Sequence, residues 1–361
     1  MAHKVKFLLL PHLGGLPKLF YRKRKAFIFN TGFEGVDFTR HPAYELADIV
    51  HLHWINGLVS MRTLNKVKKP IVWTMRDMWP LTGGCHYTMD CGRFELGCGK
   101  CPQLGSQKTW DLSAAVVANK RSSLPKHMHI VGISKWLSDC AKRSLIFNDF
   151  NVQTITNNIN TNDFFPIDTK SARSLLNLPQ NKKIILIGAR SVNDFYKGID
   201  LFIEAMQYVR CEHAHIVLFG KLSPSILEKL PYPVTSLGFL SDTISLRLAY
   251  SSADVFVAPS RMEAFGKTIA ESMSCATPVV CFDATGPADI VKHLVTGYKA
   301  KPFNTADLAK GIDLILMQNE EQKEYMRLAS RSRAINKFDT SVVARQYISL
   351  YEEMLINKNG Y

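Results

Sequence analysis

"SRMEAFGKTIAESMSCATPVV", residues 260–280, places two acids around the start of one helical pattern. Glu263 and Glu271 are separated by seven residues, and Phe265 and Gly266 come just after the first acid. A helix that starts near Gly266 leaves Glu263 in the loop before it and puts Glu271 in its second turn. The amides of Phe265, Gly266 and Lys267 then lie where helical N–H groups lack partners and the dipole is positive. A carboxylate on each side can accept hydrogen bonds from sugar hydroxyls, which are rich in donors. A capped surface helix fits the same spacing, so the neighbouring sequence has to decide.

Before it, "KKIILIGAR" (182–190) reads as a strand, with Arg190 at its end and Lys197 just ahead of Gly198. Both cations fall at the carboxyl end of a strand, where open α/β sheets place their ligands. A fixed Arg and Lys can neutralise a pyrophosphate leaving group as its charge grows. After it, "DATGPADIV" (283–291) puts Thr285 and Gly286 in a tight loop at another strand's end, able to bring N–H groups against phosphate. Strands at 216–219, 234–237, 255–258 and 278–282 alternate with helical patterns at 199–206, 244–250 and 266–275. That order predicts a doubly wound domain over 166–338.

The first half reads the same way. Strands are expected at 5–10, 49–54, 71–75, 130–133 and 152–155, and Ser134 is expected to cap a helix. This gives an N-terminal Rossmann-like domain over 1–165, with a Cys-rich loop at 83–102 and a linker in "NTNDFFPIDTK" (160–170). A last helical pattern occupies 339–361. At 361 residues, 46% hydrophobic and 21% charged, the chain suits two globular domains. No apolar run nears the ~20 residues of a membrane span, and 7–10 is too short for a signal peptide, so a cytoplasmic location is expected. The net charge is +14, and Lys4, Lys6, Lys18, Arg22, Lys23, Arg24 and Lys25 all precede the first acid, Glu34. Such a run suits anionic lipid, phosphorylated substrates or nucleic acid, and equally a solvated surface.

Taken together, Arg190 with Lys197, "LGFLSD" (237–242), "YSSADVFVAPS" (250–260), the Glu263–Glu271 motif and "TGPADIV" resemble the retaining GT-B glycosyltransferases of family 4. Many of these build bacterial O-antigen, capsule and exopolysaccharide. The resemblance implies two Rossmann-like domains facing a cleft, with the C-terminal helix crossing back to the N-terminal domain. It implies a nucleotide diphosphate sugar donor, commonly UDP-linked. Arg190 and Lys197 would hold its diphosphate, Glu271 the ribose, and Glu263 with the backbone after it the sugar. It further implies transfer to a saccharide, lipid diphosphate-linked, at the inner face of the cytoplasmic membrane. The second domain lacks the Asp-x-Asp of metal-dependent transferases, so no cofactor is expected for catalysis. Two alternatives share parts of the pattern: a GT-B epimerase or phosphorylase, and a basic zinc-binding nucleic-acid protein.

"ADIVHLHW" (47–54) and "KPIVWTMRDMWPLTGGCHYTMDCGRFELGCGKCPQL" (69–104) are similar to a polysaccharide-synthesis branch of that family. Its usual His before the Asp of "DMWP" is here Arg76, which cannot be a general base. Asp77 is read as positioning the acceptor or as bridging its own loop. Gly14 and Gly15 are read as an acceptor-side loop, although Pro17 and "YRKRK" leave little room for the usual helix. This domain is therefore expected to be abbreviated, or the chain to begin late. Cys85, Cys91, Cys98 and Cys101 offer four thiolates within seventeen residues, among glycines that let a loop turn back. They are read as a structural zinc site or as reduced cysteines in a Gly-rich loop. His51 and His53 are read as facing opposite sides of a strand. Trp54, Trp73 and Trp79 are read as core or cleft wall.

Overall fold

Continuous apolar runs flanked by helical patterns build parallel sheets buried on both faces. The computed structural model describes residues 15–221 and 223–358, in two compact units. One runs up to Ile155 and resumes at Gln346; the other is Thr156–Arg345. Among the described residues no helix is long and apolar enough to cross a membrane. The expected strand at 5–10 and Gly14 lie outside the described residues.

The first unit holds four parallel strands in the order β1 (Val50–Leu52), β2 (Ile71–Met75), β3 (Met128–Gly132) and β4 (Asn151–Thr154). Every residue of β2 is buried. Trp73 and Trp79 pack edge to face with centroids 6.1 Å apart, and Trp73 meets Phe147 likewise at 6.0 Å. Ser134 caps the helix Lys135–Arg143 by accepting from the Leu137 amide at 3.1 Å. The last helix, Thr340–Lys358, brings Tyr347 to Thr74 (2.9 Å) and Tyr351 to His51 (2.6 Å), which ties its later turns to this sheet.

The second unit has six parallel strands in the order β10-β9-β8-β5-β6-β7. These are β5 (Lys183–Ser191), β6 (Ala214–Lys221), β7 (Val234–Ser236), β8 (Val255–Ala258), β9 (Val279–Phe282) and β10 (Gly297–Ala300). Alternate residues, Ile185 and Ile187, Ile216 and Leu218, Val255 and Val257, Val280 and Phe282, pack onto Phe202, Leu308 and Ile312. Each such buried side chain contributes about 1.5–3 kcal/mol. The chain runs outward from β5 through β6 to β7, then returns to β8 on the other side of β5. The switch point of the sheet therefore lies between β5 and β8, and the crevice at their carboxyl ends is where a ligand belongs.

The segment expected to be a linker, 160–170, is part of the second unit. Phe164 is buried, with its ring 6.2 Å from Tyr250, and Arg331 donates to the carbonyls of Phe164 (2.6 Å) and Thr161 (3.1 Å). Its polar letters belong to turns that are hydrogen-bonded to the unit's own helices. Gly15 precedes a short 3-10 helix, Leu16–Phe20, with φ −80° and ψ −21°, so it is not the left-handed glycine of a phosphate loop.

Candidate active site

In the second unit two loops meet at the switch point, held there by backbone contacts. Gly198 has φ +68°, and a Cβ on it would lie 2.1 Å from the Pro259 carbonyl oxygen. Only glycine permits that approach. The Arg261 amide donates to the Tyr196 carbonyl at 2.8 Å, and its guanidinium forks onto Asp200 at 2.6 and 2.5 Å. This latch delivers Lys197 to Glu263, and the two form an ion pair through Nζ and Oε2. Gly266 (φ +110°) then starts the helix Lys267–Ser274. The Phe265, Gly266 and Lys267 amides donate to nothing among the described residues. A small cavity lined by Gly188, Lys197, Pro259, Ser260 and Thr268 opens between the ends of β5 and β8.

The third loop joins this group differently from its sequence reading. A Cβ on Gly286 would lie 2.5 Å from the Ala264 carbonyl oxygen, and the Gly286 amide donates to the Glu263 carbonyl at 2.9 Å. That N–H therefore fastens the Glu263 loop and is not open to phosphate. Thr285 beside it is left-handed (φ +54°), and its buried hydroxyl has no partner. Glu271 is not drawn to Lys197. It is 8% exposed and accepts from the buried Tyr250 hydroxyl at 3.0 Å. Burial raises its pKa, against the opposing effects of that hydrogen bond and of Lys267. Arg190, at the exposed end of β5 where pairing with β6 turns irregular, has no hydrogen-bond or ion-pair partner among the described residues. Tyr250 escaped the sequence reading, because a tyrosine inside an apolar helical run looks like ordinary core.

In the first unit the strand ends carry a connected polar group. His51 and His53 lie on one face, with ring centroids 4.1 Å apart, which corrects the reading that set them on opposite sides. Residues i and i+2 of a strand share a face. His51 contacts Tyr351 at 2.6 Å and Thr74 at 2.8 Å, and Arg76 reaches His53 Nδ1 at 3.2 Å. Burial, then His53, then Arg76 depress the His51 pKa to about 4. Burial and Arg76 also lower that of His53. Asp77 accepts from the Trp79 amide at 2.9 Å and pairs with His86 at 2.7 Å. His86 in turn reaches Asn30 at 2.8 Å. Both Asp77 oxygens thus contact groups of its own loop. Trp54 is not core: it is 59% exposed, with its ring edge-on to His86. Lys120, also unremarked in the sequence, is fully buried beneath the Trp79 ring and donates to the Trp79 and Thr82 carbonyls.

Residues 168–333 match the family model described as glycosyl transferases group 1. An uncharacterized glycosyltransferase of Methanocaldococcus jannaschii is 28% identical over 322 residues, covering 84% of this chain and 75% of that protein. The N,N'-diacetylbacillosaminyl-diphospho-undecaprenol alpha-1,3-N-acetylgalactosaminyltransferase of Campylobacter jejuni is 31% identical over 209 residues, or 55% of this chain. The chain spans about half of that enzyme's length, 53%. Sucrose-phosphate synthase from Thermosynechococcus elongatus shares the fold, with a TM-score of 0.69 at 21% identity, over 89% of this chain and 77% of that one.

Proposed function

We propose that this chain, a member of the GT-B glycosyltransferases, moves a sugar from a UDP-linked donor to a saccharide hydroxyl with the anomeric configuration retained. The observation that carries the donor half is the Lys197–Glu263 ion pair at the switch point, beside the open amides of Phe265, Gly266 and Lys267. The diphosphate rests against Lys197 and that helix start, with Arg190 free to close over it. Glu271 accepts from the ribose hydroxyls and Glu263 from the sugar, through the oxygen that Lys197 leaves open.

In the transfer, the bond between C1 and the β-phosphate oxygen breaks and the acceptor oxygen bonds to C1 on the same face. The acceptor proton passes to the departing phosphate oxygen, whose growing charge Lys197 takes up. Arg190 and Lys197 supply the positive charge that Asp-x-Asp enzymes recruit as a metal ion, so the reaction runs without one. A saccharide on a lipid diphosphate suits the acceptor, since such a group appears in the name of the Campylobacter relative. Such an acceptor belongs to surface-polysaccharide synthesis. The cations Lys18, Arg22, Lys23, Arg24 and Lys25 favour the anionic membrane that would present it.

Calorimetric titration of the full chain with UDP-, GDP- and ADP-sugars tests the donor assignment. A UDP-sugar should bind about tenfold tighter than the others, a gap of ~1.4 kcal/mol. Arg190→Ala and Glu271→Ala should each weaken it by about fivefold or more with the fold intact by circular dichroism. Unchanged affinity in both variants overturns the site.

A further inference from the structure

The stretch from Thr82 to Asp111 is long and nearly without regular structure. It contains one three-residue turn, Arg93–Glu95, and one isolated bridge between Phe29 and Cys85. Segments of this length inside a compact domain need something besides secondary structure to hold them. The local apolar cluster, Phe29, Cys101 and Leu104, is small. Yet the backbone is tightly specified: Gly97, Cys98, Gly99 and Lys100 are four consecutive residues with positive φ, at +95°, +64°, +78° and +44°. Two of them are not glycine, and each such residue costs on the order of 1–3 kcal/mol unless its surroundings fix it.

Cys98 lies within that turn and Cys101 directly follows it. Cys85, Cys91, Cys98 and Cys101 all line one small cavity, together with Phe29 and Phe94, and none is in a disulfide. Lys120 borders the same loop: its ammonium is fully buried beneath the Trp79 ring and donates to the Trp79 and Thr82 carbonyls, the latter three residues ahead of Cys85.

We propose that Cys85, Cys91, Cys98 and Cys101 are the four ligands of a structural zinc ion that serves this loop in place of a hydrophobic core. Four protein ligands leave no open position, so the ion organises the loop and takes no part in chemistry. Zinc with four thiolates carries a net charge of −2, which Lys120 partly offsets. Among the described residues no three His, Cys, Asp or Glu side chains stand as a preformed ligand set. Binding therefore draws the sulfurs inward from the cavity wall to about 2.3 Å from the ion.

The test uses no activity assay and so stands apart from the sugar-transfer reading. The full chain, purified without chelator, is incubated with excess zinc, gel-filtered and analysed by plasma mass spectrometry. One zinc per chain is expected, released when a mercurial titrates the thiols. The double variant Cys98→Ser/Cys101→Ser should lose it, and Cys211→Ser, in the other unit, should keep it. The wild-type stoichiometry is decisive by itself, whatever the fold of the double variant. Well under one zinc per chain, iron in its place, or zinc retained by the double variant overturns the proposal.

Discussion

The two units each bring charged groups to the carboxyl ends of parallel strands, yet they treat those groups in opposite ways. In the second unit backbone contacts fix the loops: Gly198 lies against Pro259, and Gly286 against Ala264 and the Glu263 carbonyl. Beyond the Lys197–Glu263 and Arg261–Asp200 pairs, Arg190 and three helix-start amides are unpartnered among the described residues. In the first unit the side chains satisfy one another. Arg76 holds His53, Asp77 holds His86 and the Trp79 amide, and His51 holds Tyr351 and Thr74. A site that fixes geometry with backbone keeps its charges for a ligand. One that fixes geometry with side chains has little charge left to offer.

The sharpest way to break this contrast is to delete one cation from each set. Lys197→Ala should lower kcat/KM by about 10²–10³, the usual consequence of removing a preorganised partner of developing charge. Arg76→Ala removes the same formal charge from a group already tied to His53, and should cost about tenfold or less. Steady-state kinetics with one donor and one acceptor reads both. Equal losses would erase the contrast between the two sets.

The same contrast explains what could be read from the sequence. The donor loops were legible because their constraints are local: glycine where φ is positive, a cation before a glycine, an acid just ahead of a helix start. β10 was not, since Gly297–Ala300 is a four-residue strand with Tyr298 and Lys299 in it, and only pairing with β9 makes it one. Gly286 was placed in the right loop but given the wrong use, because no local pattern tells which acceptor an N–H will find. In the first unit the partners come from afar. Tyr351 meets His51 across most of the chain, and Asn30 meets His86 from a segment that carries no motif. The exposure of Trp54 is equally invisible, since a tryptophan at a strand end reads as core by composition.

A smaller effect sharpens the donor side. Burial raises the Glu271 pKa from its ordinary value, so it protonates at a higher pH than an exposed glutamate. Its ionised form costs stability at neutral pH, and that cost fades as the pH falls through the raised value. Binding runs the other way, because ribose hydroxyls need the ionised acceptor. Glu271→Gln should therefore keep or raise the thermal midpoint at pH 7.5 while weakening UDP-sugar binding by about tenfold. The wild type should lose affinity at a higher pH than an exposed glutamate would require as the medium is acidified, and the variant should not. A UDP-sugar is the right probe, because its diphosphate does not titrate in that window. Parallel pH profiles would remove Glu271 from the ribose contact.

The smallest expected effect belongs to the self-satisfied side. The His51 pKa is about 4 in the folded chain, against about 6.5 when unfolded. The folded state thus prefers neutral imidazole, and this contribution is complete above pH 6.5. It is lost as the pH falls from 6.5 to 4 and changes no further below that. The full shift corresponds to roughly 3 kcal/mol, but His51 is only partly buried, and solvent screening reduces the expected loss to about 1 kcal/mol. Urea unfolding at pH 7 and pH 5 should show about half of that difference, and His51→Gln should flatten it while costing stability at both, because glutamine does not titrate. If His51→Gln leaves the pH dependence unchanged, the acid sensitivity lies elsewhere. The Tyr351–His51–Thr74 chain would then be packing alone.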